Sequence, residues 1–131
     1  MLRCVPLAAL APVLALVLAL PAAAQSVRKF TAQTLRGELV VMQPPLVTLN
    51  GQAAQLAPGA RIRGTDNLVR LSGSLVGQKF IVHYTMDTLG NVMDVWVLTP
   101  AEFARQPWPA TPAQAAAWSF NPDAQTWTAP K

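Results

Sequence analysis

The run Lys79-Phe80-Ile81-Val82-His83-Tyr84-Thr85-Met86 is followed, after Asp87-Thr88-Leu89-Gly90-Asn91, by Val92-Met93-Asp94-Val95-Trp96-Val97-Leu98, and this stretch decides the fold class. Phe80, Val82, Tyr84 and Met86 share one face of the first run at a period of two. In the second, Val92, Asp94, Trp96 and Leu98 share one face while Met93, Val95 and Val97 share the other. β-Branched and aromatic residues fill both runs, and turn-forming residues fill the gap, so the stretch predicts a long antiparallel hairpin. With Phe80, Val82, Tyr84 and Met86 inside, His83 falls on the outer face beside Lys79, Ile81 and Thr85, half-exposed.

The same grammar extends toward the N-terminus. Leu35 to Met42 reads as a strand in which Gly37 marks a bulge or a close backbone approach, and Pro44-Pro45 stops it because proline has no ladder donor. Leu46 to Leu49 and Gln52 to Leu56 flank Asn50-Gly51, a tight-turn dipeptide whose residues tolerate positive φ. Pro58-Gly59 reads as the next turn, Ala60 to Arg63 as a short strand, and Gly64 to Asn67 as a turn into Leu68 to Leu71. Strands at this spacing, roughly every eight to twelve residues, are an all-β pattern. The expected class is mainly β: a small antiparallel sheet curled into a partly open barrel, with one or two short C-terminal helices.

Those helices announce themselves by their caps. Thr99-Pro100-Ala101-Glu102 places a hydroxyl at the N-cap, proline in the first turn and a carboxylate at the third position, and Thr111-Pro112-Ala113-Gln114 repeats the pattern. The first helix should pack Phe103 against the sheet. From Gln106 onward the chain carries five prolines and three of its four tryptophans, Trp108, Trp118 and Trp127. Proline favours extended geometry, while tryptophan removes a large apolar area from water, so this tail is expected to wrap the domain or extend from it.

Met1 to Ala24 has the parts of a secretory leader: Arg3, an apolar run from Val5 to Leu20, and small residues at Ala22 and Ala24. The division is then a signal peptide (1–24), a lead-in (25–34), a β-rich domain (35–106) and the proline- and tryptophan-rich tail (107–131). A periplasmic or secreted address follows, with no stable membrane span after cleavage. Cys4 lies in the leader, so the mature chain is free of cysteine and excludes thiol catalysis, disulfide exchange and cysteine-ligated metals. Loss of Arg3 lowers the formal net charge from +4 to +3, too little to argue for nucleic-acid binding.

Few residues carry candidate chemistry. His83 is the only histidine, which argues against a metal site, and no serine sits in a nucleophile motif. No catalytic residue and no cofactor is implied. Asp94, a charge inside an apolar strand, is an edge charge, a partner for an arginine or His83, or half of a carboxylate pair. Arg61 and Arg63 share a face, and a turn over 64–67 folding the chain back would bring Arg70 near them; the three are either solvated charges that keep an apolar sheet soluble or a site for a carboxylate, a phosphate or an anionic envelope polymer. Trp108 and Trp127 are either wrapping residues or an exposed aromatic contact.

The segments Arg36-Gly37, Pro45-Leu46-Val47, Leu49-Asn50-Gly51, Leu56-Ala57-Pro58-Gly59-Ala60-Arg61-Ile62-Arg63 and Val95-Trp96-Val97-Leu98-Thr99-x-x-Glu102 resemble a small family of uncharacterised exported proteins of proteobacteria. That resemblance implies an envelope address and one β-rich domain, and it assigns no site residue. The expected function is a non-enzymatic periplasmic accessory or binding module whose partner is an envelope protein or an anionic envelope polymer. Two alternatives stand beside it: a carboxylate-dependent hydrolase of an envelope polymer, and an assembly component pairing through an exposed strand edge.

Overall fold

The computed structural model describes residues 27–131. The expected leader and its cleavage point lie outside the described residues. Among the described residues there are eight strands: β1 (Leu35–Val41), β2 (Leu46–Leu49), β3 (Gln52–Arg63), β4 (Val69–Arg70), β5 (Lys79–Met86), β6 (Val92–Val97), β7 (Ser119–Asn121) and β8 (Thr126–Thr128). Two short helices, α1 (Pro100–Phe103) and α2 (Pro112–Ala117), precede the last two strands, and a 3₁₀ turn spans Ser72–Leu75.

The main sheet runs β2-β1-β5-β6-β3-β4, and β2 also pairs with β3, so five strands close into a small barrel. All ladders are antiparallel except β3 with β6, a parallel seam interrupted between Leu56 and Arg61. Counted along the chain, the ring order is first, second, third, fifth, fourth, the connectivity of an OB-type barrel. That topology fixes no function.

β3 corrects the sequence reading. Pro58-Gly59 does not end a strand but bends one twelve-residue strand, with Gly59 at φ +80°. The first half of β3 pairs with β2 and the second half with β6, so the bend carries the chain from one neighbour to the other. The bend lies in the interruption of the β6 ladder, where the missing proline donor costs nothing.

Leu35, Leu39, Val41, Val47, Ile62, Val82, Tyr84, Val92 and Val95 fill the barrel. The β5–β6 hairpin forms as expected, and its turn is tied by the Asp87 carboxylate, which accepts from the Leu89 and Asn91 amides. A register shift between Tyr84 and Met86 breaks the simple alternation, so Val92 joins Val95 in the interior instead of sharing a face with Asp94 and Trp96. Gly37 is a close approach: a Cβ there would lie 2.9 Å from Asn50 Oδ1, the atom that accepts from the Glu38 amide.

A second core lies outside the barrel wall. Phe30, Leu98, Trp108 and Trp127 are buried together, with Ile81, Trp96, Trp118 and Phe120 packed against them. Three hydrogen bonds fasten the tail to the barrel: Trp108 Nε1 donates to the carbonyl of Thr34, just before β1, at 2.9 Å, the Arg36 amide in β1 to the Pro109 carbonyl at 2.9 Å, and Tyr84 Oη in β5 to the Ala110 carbonyl at 3.3 Å. β7 and β8 form a hairpin around an Asn121 turn, whose Oδ1 accepts from the amides of Asp123 and Ala124. The tail therefore wraps the domain, and its tryptophans are the reason.

Candidate functional site

His83 lies on the outer face of β5, as alternation requires, yet it is only 1% exposed. The expected half-exposure is overturned by the tail. Trp108 stacks on the imidazole at 4.2 Å between ring centroids, and Phe30 meets it edge-on at 4.3 Å. Arg36 Nε donates to His83 Nε2 at 3.2 Å, which leaves the ring proton on Nδ1, where no acceptor is present. Burial, reinforced by Arg36, Arg28 and Arg105, drives the imidazole pKa down to about 2. A neutral, sealed ring of this kind cannot exchange protons with a ligand near neutral pH.

The three central arginines do not form one patch. Across the β3–β4 ladder Arg63 faces Val69 and Arg70 faces Ile62, so Arg70 points to the opposite side of the sheet from Arg61 and Arg63. Arg70 pairs with Asp66 at 2.5 Å, and Arg63 with Asp94 at 3.5 Å while lying 5.8 Å over the Trp96 ring. Asp94 is thus an arginine partner, and it also meets Thr85 Oγ1 at 3.5 Å. Trp108 and Trp127 are buried, which assigns both to the second core and leaves neither as an exposed contact.

The chain instead gathers charge around α1. Thr99 and Glu102 form the expected capping box: the Glu102 amide donates to Thr99 Oγ1 at 3.2 Å and the Thr99 amide to Glu102 Oε1 at 2.9 Å. The consequence for the helix face differs from expectation. Phe103 is 46% exposed, while Glu102 is buried. The Glu102 carboxylate is taken by Arg28, whose Nε and Nη2 both donate to it, and each side chain is 8% exposed. Arg28 also donates to the Gly64 and Val97 carbonyls, at 3.0 Å and 2.7 Å. Arg36 donates to the backbone carbonyls of Glu102 and Phe103, at 2.9 Å and 3.1 Å.

Beside this pair opens a cavity of about 520 Å³, walled in part by Arg28, Thr65, Asp66, Thr99, Glu102 and Arg105. Arg105 makes no side-chain hydrogen bond or ion pair among the described residues, and its Nη1 is buried without a partner. Burial pushes the Glu102 carboxyl upward, but the hydrogen bonds from Arg28 and Thr99 outweigh it and hold the group below the usual range. The Leu68 amide, helped by Arg70 against slight desolvation, holds Asp66 low as well. Both cavity carboxylates are therefore anions at neutral pH.

A second, shallower concavity of about 610 Å³ is lined by Phe30, Trp118, Phe120, Pro122 and Trp127. Sequence reading missed Arg28, Glu102 and Arg105 as a group because the ion pair spans 74 positions; the only local signal was the capping glutamate. Among the described residues no three His, Cys, Asp or Glu side chains cluster to hold a metal ion, and no helix is long and apolar enough to cross a membrane. Comparison of the chain with family models, curated proteins and solved structures finds no match.

Proposed function

We propose that this chain is an exported, non-enzymatic binding module of the cell envelope, with the cavity beside α1 as its ligand site. The observation that carries the reading is an open cavity whose two carboxylates, Asp66 and Glu102, are both already bound to arginines, while Arg105 on the same wall is not paired among the described residues. A carboxylate-dependent hydrolase needs one acid held protonated beside one base. Asp66 and Glu102 share the cavity, but both are held low, which leaves no general acid. The address rests on the leader-like segment Met1 to Ala24.

The test is to express the chain under its own leader, purify it from the envelope fraction, and incubate it with small organic acids and peptidoglycan fragments. Native mass spectrometry should show ligand-bound protein, and the ligand should be recovered at unchanged mass. Ligand released with altered mass, or protein retained in the cytoplasm, would overturn the reading.

A second reading, an assembly component that adds a strand, draws on one observation. β4 is paired on one side only, and Leu68, Val69 and Leu71 around it are exposed, Leu71 by 79%. Concentration-dependent self-association abolished by Val69→Lys would favour it over the cavity reading.

A further inference from the structure

The OB-type topology suggests one place to look for a ligand, the outer surface of the second and third ring strands. In this chain that surface carries Leu46, Thr48, Ala53 and Gln55, the pairs facing away from Val47 and Ala54. Where β2 and β3 pair it offers neither an aromatic platform nor a charge, and past the bend β3 adds only Arg61 and Arg63, the latter already bound to Asp94 and lying over Trp96. The groups able to hold a ligand lie instead beside α1.

Arg28, Arg36 and Arg105 all stand close enough to His83 to repel a proton from it. Against these three guanidiniums stands one carboxylate, Glu102, which Arg28 already occupies with two donors. Asp66, the other acid on the cavity, is bound to Arg70. The surplus is cationic. Arg28 and Arg36 discharge their donors into backbone carbonyls, and Arg36 is further covered by the rings of Phe103 and Trp108, at 5.7 Å and 5.6 Å. Arg105 has neither outlet: it lines the cavity with no carboxylate, carbonyl or ring on its guanidinium among the described residues, and its Nη1 is buried without an acceptor.

We infer that the cavity beside α1 is an oxyanion site in which Arg105 receives the carboxylate or phosphate head of a small organic anion. This deepens the binding-module reading and rests on it. A cavity of about 520 Å³ is of the size that holds small molecules, and a planar guanidinium suits the paired oxygens of either head group. Val27, Pro100 and Ala101 give the cavity an apolar wall for a short carbon body. Asp66 sets the selectivity: a ligand with a second anionic end would meet this carboxylate, so single-headed anions bind better than those charged at both ends.

The probes are hexanoate, hexyl phosphate and adipate, titrated by calorimetry at low ionic strength into the full chain purified from the envelope fraction. Hexanoate or hexyl phosphate should saturate the protein one to one, the tighter of the two identifying the source of the head group, and adipate should bind more weakly. Arg105→Gln should weaken binding at least about tenfold, Arg105→Lys by less, and Lys131→Gln, which removes the same charge from the chain end, not at all. Arg105→Gln should also leave the unfolding midpoint unchanged or raised, because it deletes an unsatisfied buried donor. Failure of both single-headed probes to saturate by about 10 mM, or equal affinity in wild type and Arg105→Gln, would overturn the site. If wild type still carried another envelope ligand in native mass spectra, the binding-module reading would survive that failure. A probe recovered chemically altered would instead remove the binding-module reading and leave Arg105 as the anion contact.

Discussion

Acidification should weaken this protein in a window set by one residue. In the folded chain His83 titrates at about 2, against 6.5 for the free side chain. A group whose pKa is depressed by folding takes up its proton only in the unfolded state as pH falls. Its contribution is therefore complete above pH 6.5 and is lost progressively below it. Each unit of pH costs about 1.4 kcal/mol per proton, so moving from pH 7 to pH 5 should remove about 2 kcal/mol. The choice of pH 5 matters because Asp66 and Glu102, whose folded pKa values are lowered from 3.8 and 4.5, begin to add their own acid destabilisation only nearer those values. Urea unfolding followed by tryptophan fluorescence is the assay, since Trp108 stacks directly on the imidazole. His83→Phe keeps an aromatic ring between Phe30 and Trp108 while removing the titrating group, and it should flatten stability between pH 7 and 5. An imidazole that titrates near 6.5 in the folded protein by NMR, or a His83→Phe variant with the wild-type slope, would refute the reasoning.

Two further outcomes follow from the same layer. Trp108→Ala empties a buried site, deletes the bond to the Thr34 carbonyl and uncovers His83; a loss of about 3 to 5 kcal/mol in urea unfolding is expected, together with a His83 pKa moving back toward 6.5. Glu102→Ala strands Arg28 and opens the cap at Thr99, for a loss of about 3 to 5 kcal/mol, whereas the double replacement Arg28→Met with Glu102→Leu should recover most of it, as measured in the same assay.

What was legible in the sequence was local. Thr99-x-x-Glu102 and Thr111-x-x-Gln114 state their caps within one turn of helix, and Asn50-Gly51 states its hairpin within two residues. His83 was placed on the correct face by alternation and given the wrong environment, because the rings that bury it come from residues 30 and 108, outside the strand pattern. The parallel ladder of β3 with β6 leaves no local mark either. Pro58-Gly59 has the composition of a turn, and only the demand that one strand serve two neighbours makes it a bend. The arginine patch failed for a geometric reason: the pairing that sets Arg63 opposite Val69 sends Arg70 to the other face.

The arginines also show how a domain without a cysteine in its described residues ties its ends together. Arg28 joins the start of the described chain to Gly64, Val97 and Glu102, and Arg36 joins β1 to the end of α1 while lying under Trp108. Arg63 ties β3 to β6 through Asp94 and Trp96. Each guanidinium crosses between elements distant in sequence and is satisfied by carbonyls, carboxylates or rings. Such links carry a cost, since desolvation lowers the Arg36 pKa and three cations crowd one imidazole. Arg28, Arg36 and Arg63 meet this cost with carbonyls, carboxylates and rings, whereas His83 Nδ1, Trp127 Nε1 and Arg105 Nη1 are buried without an acceptor. Arg105 is the one of these three that carries a charge at neutral pH, and it stands on the wall of the cavity beside α1, which is why the inferred anion is assigned to it and not to His83 or Trp127.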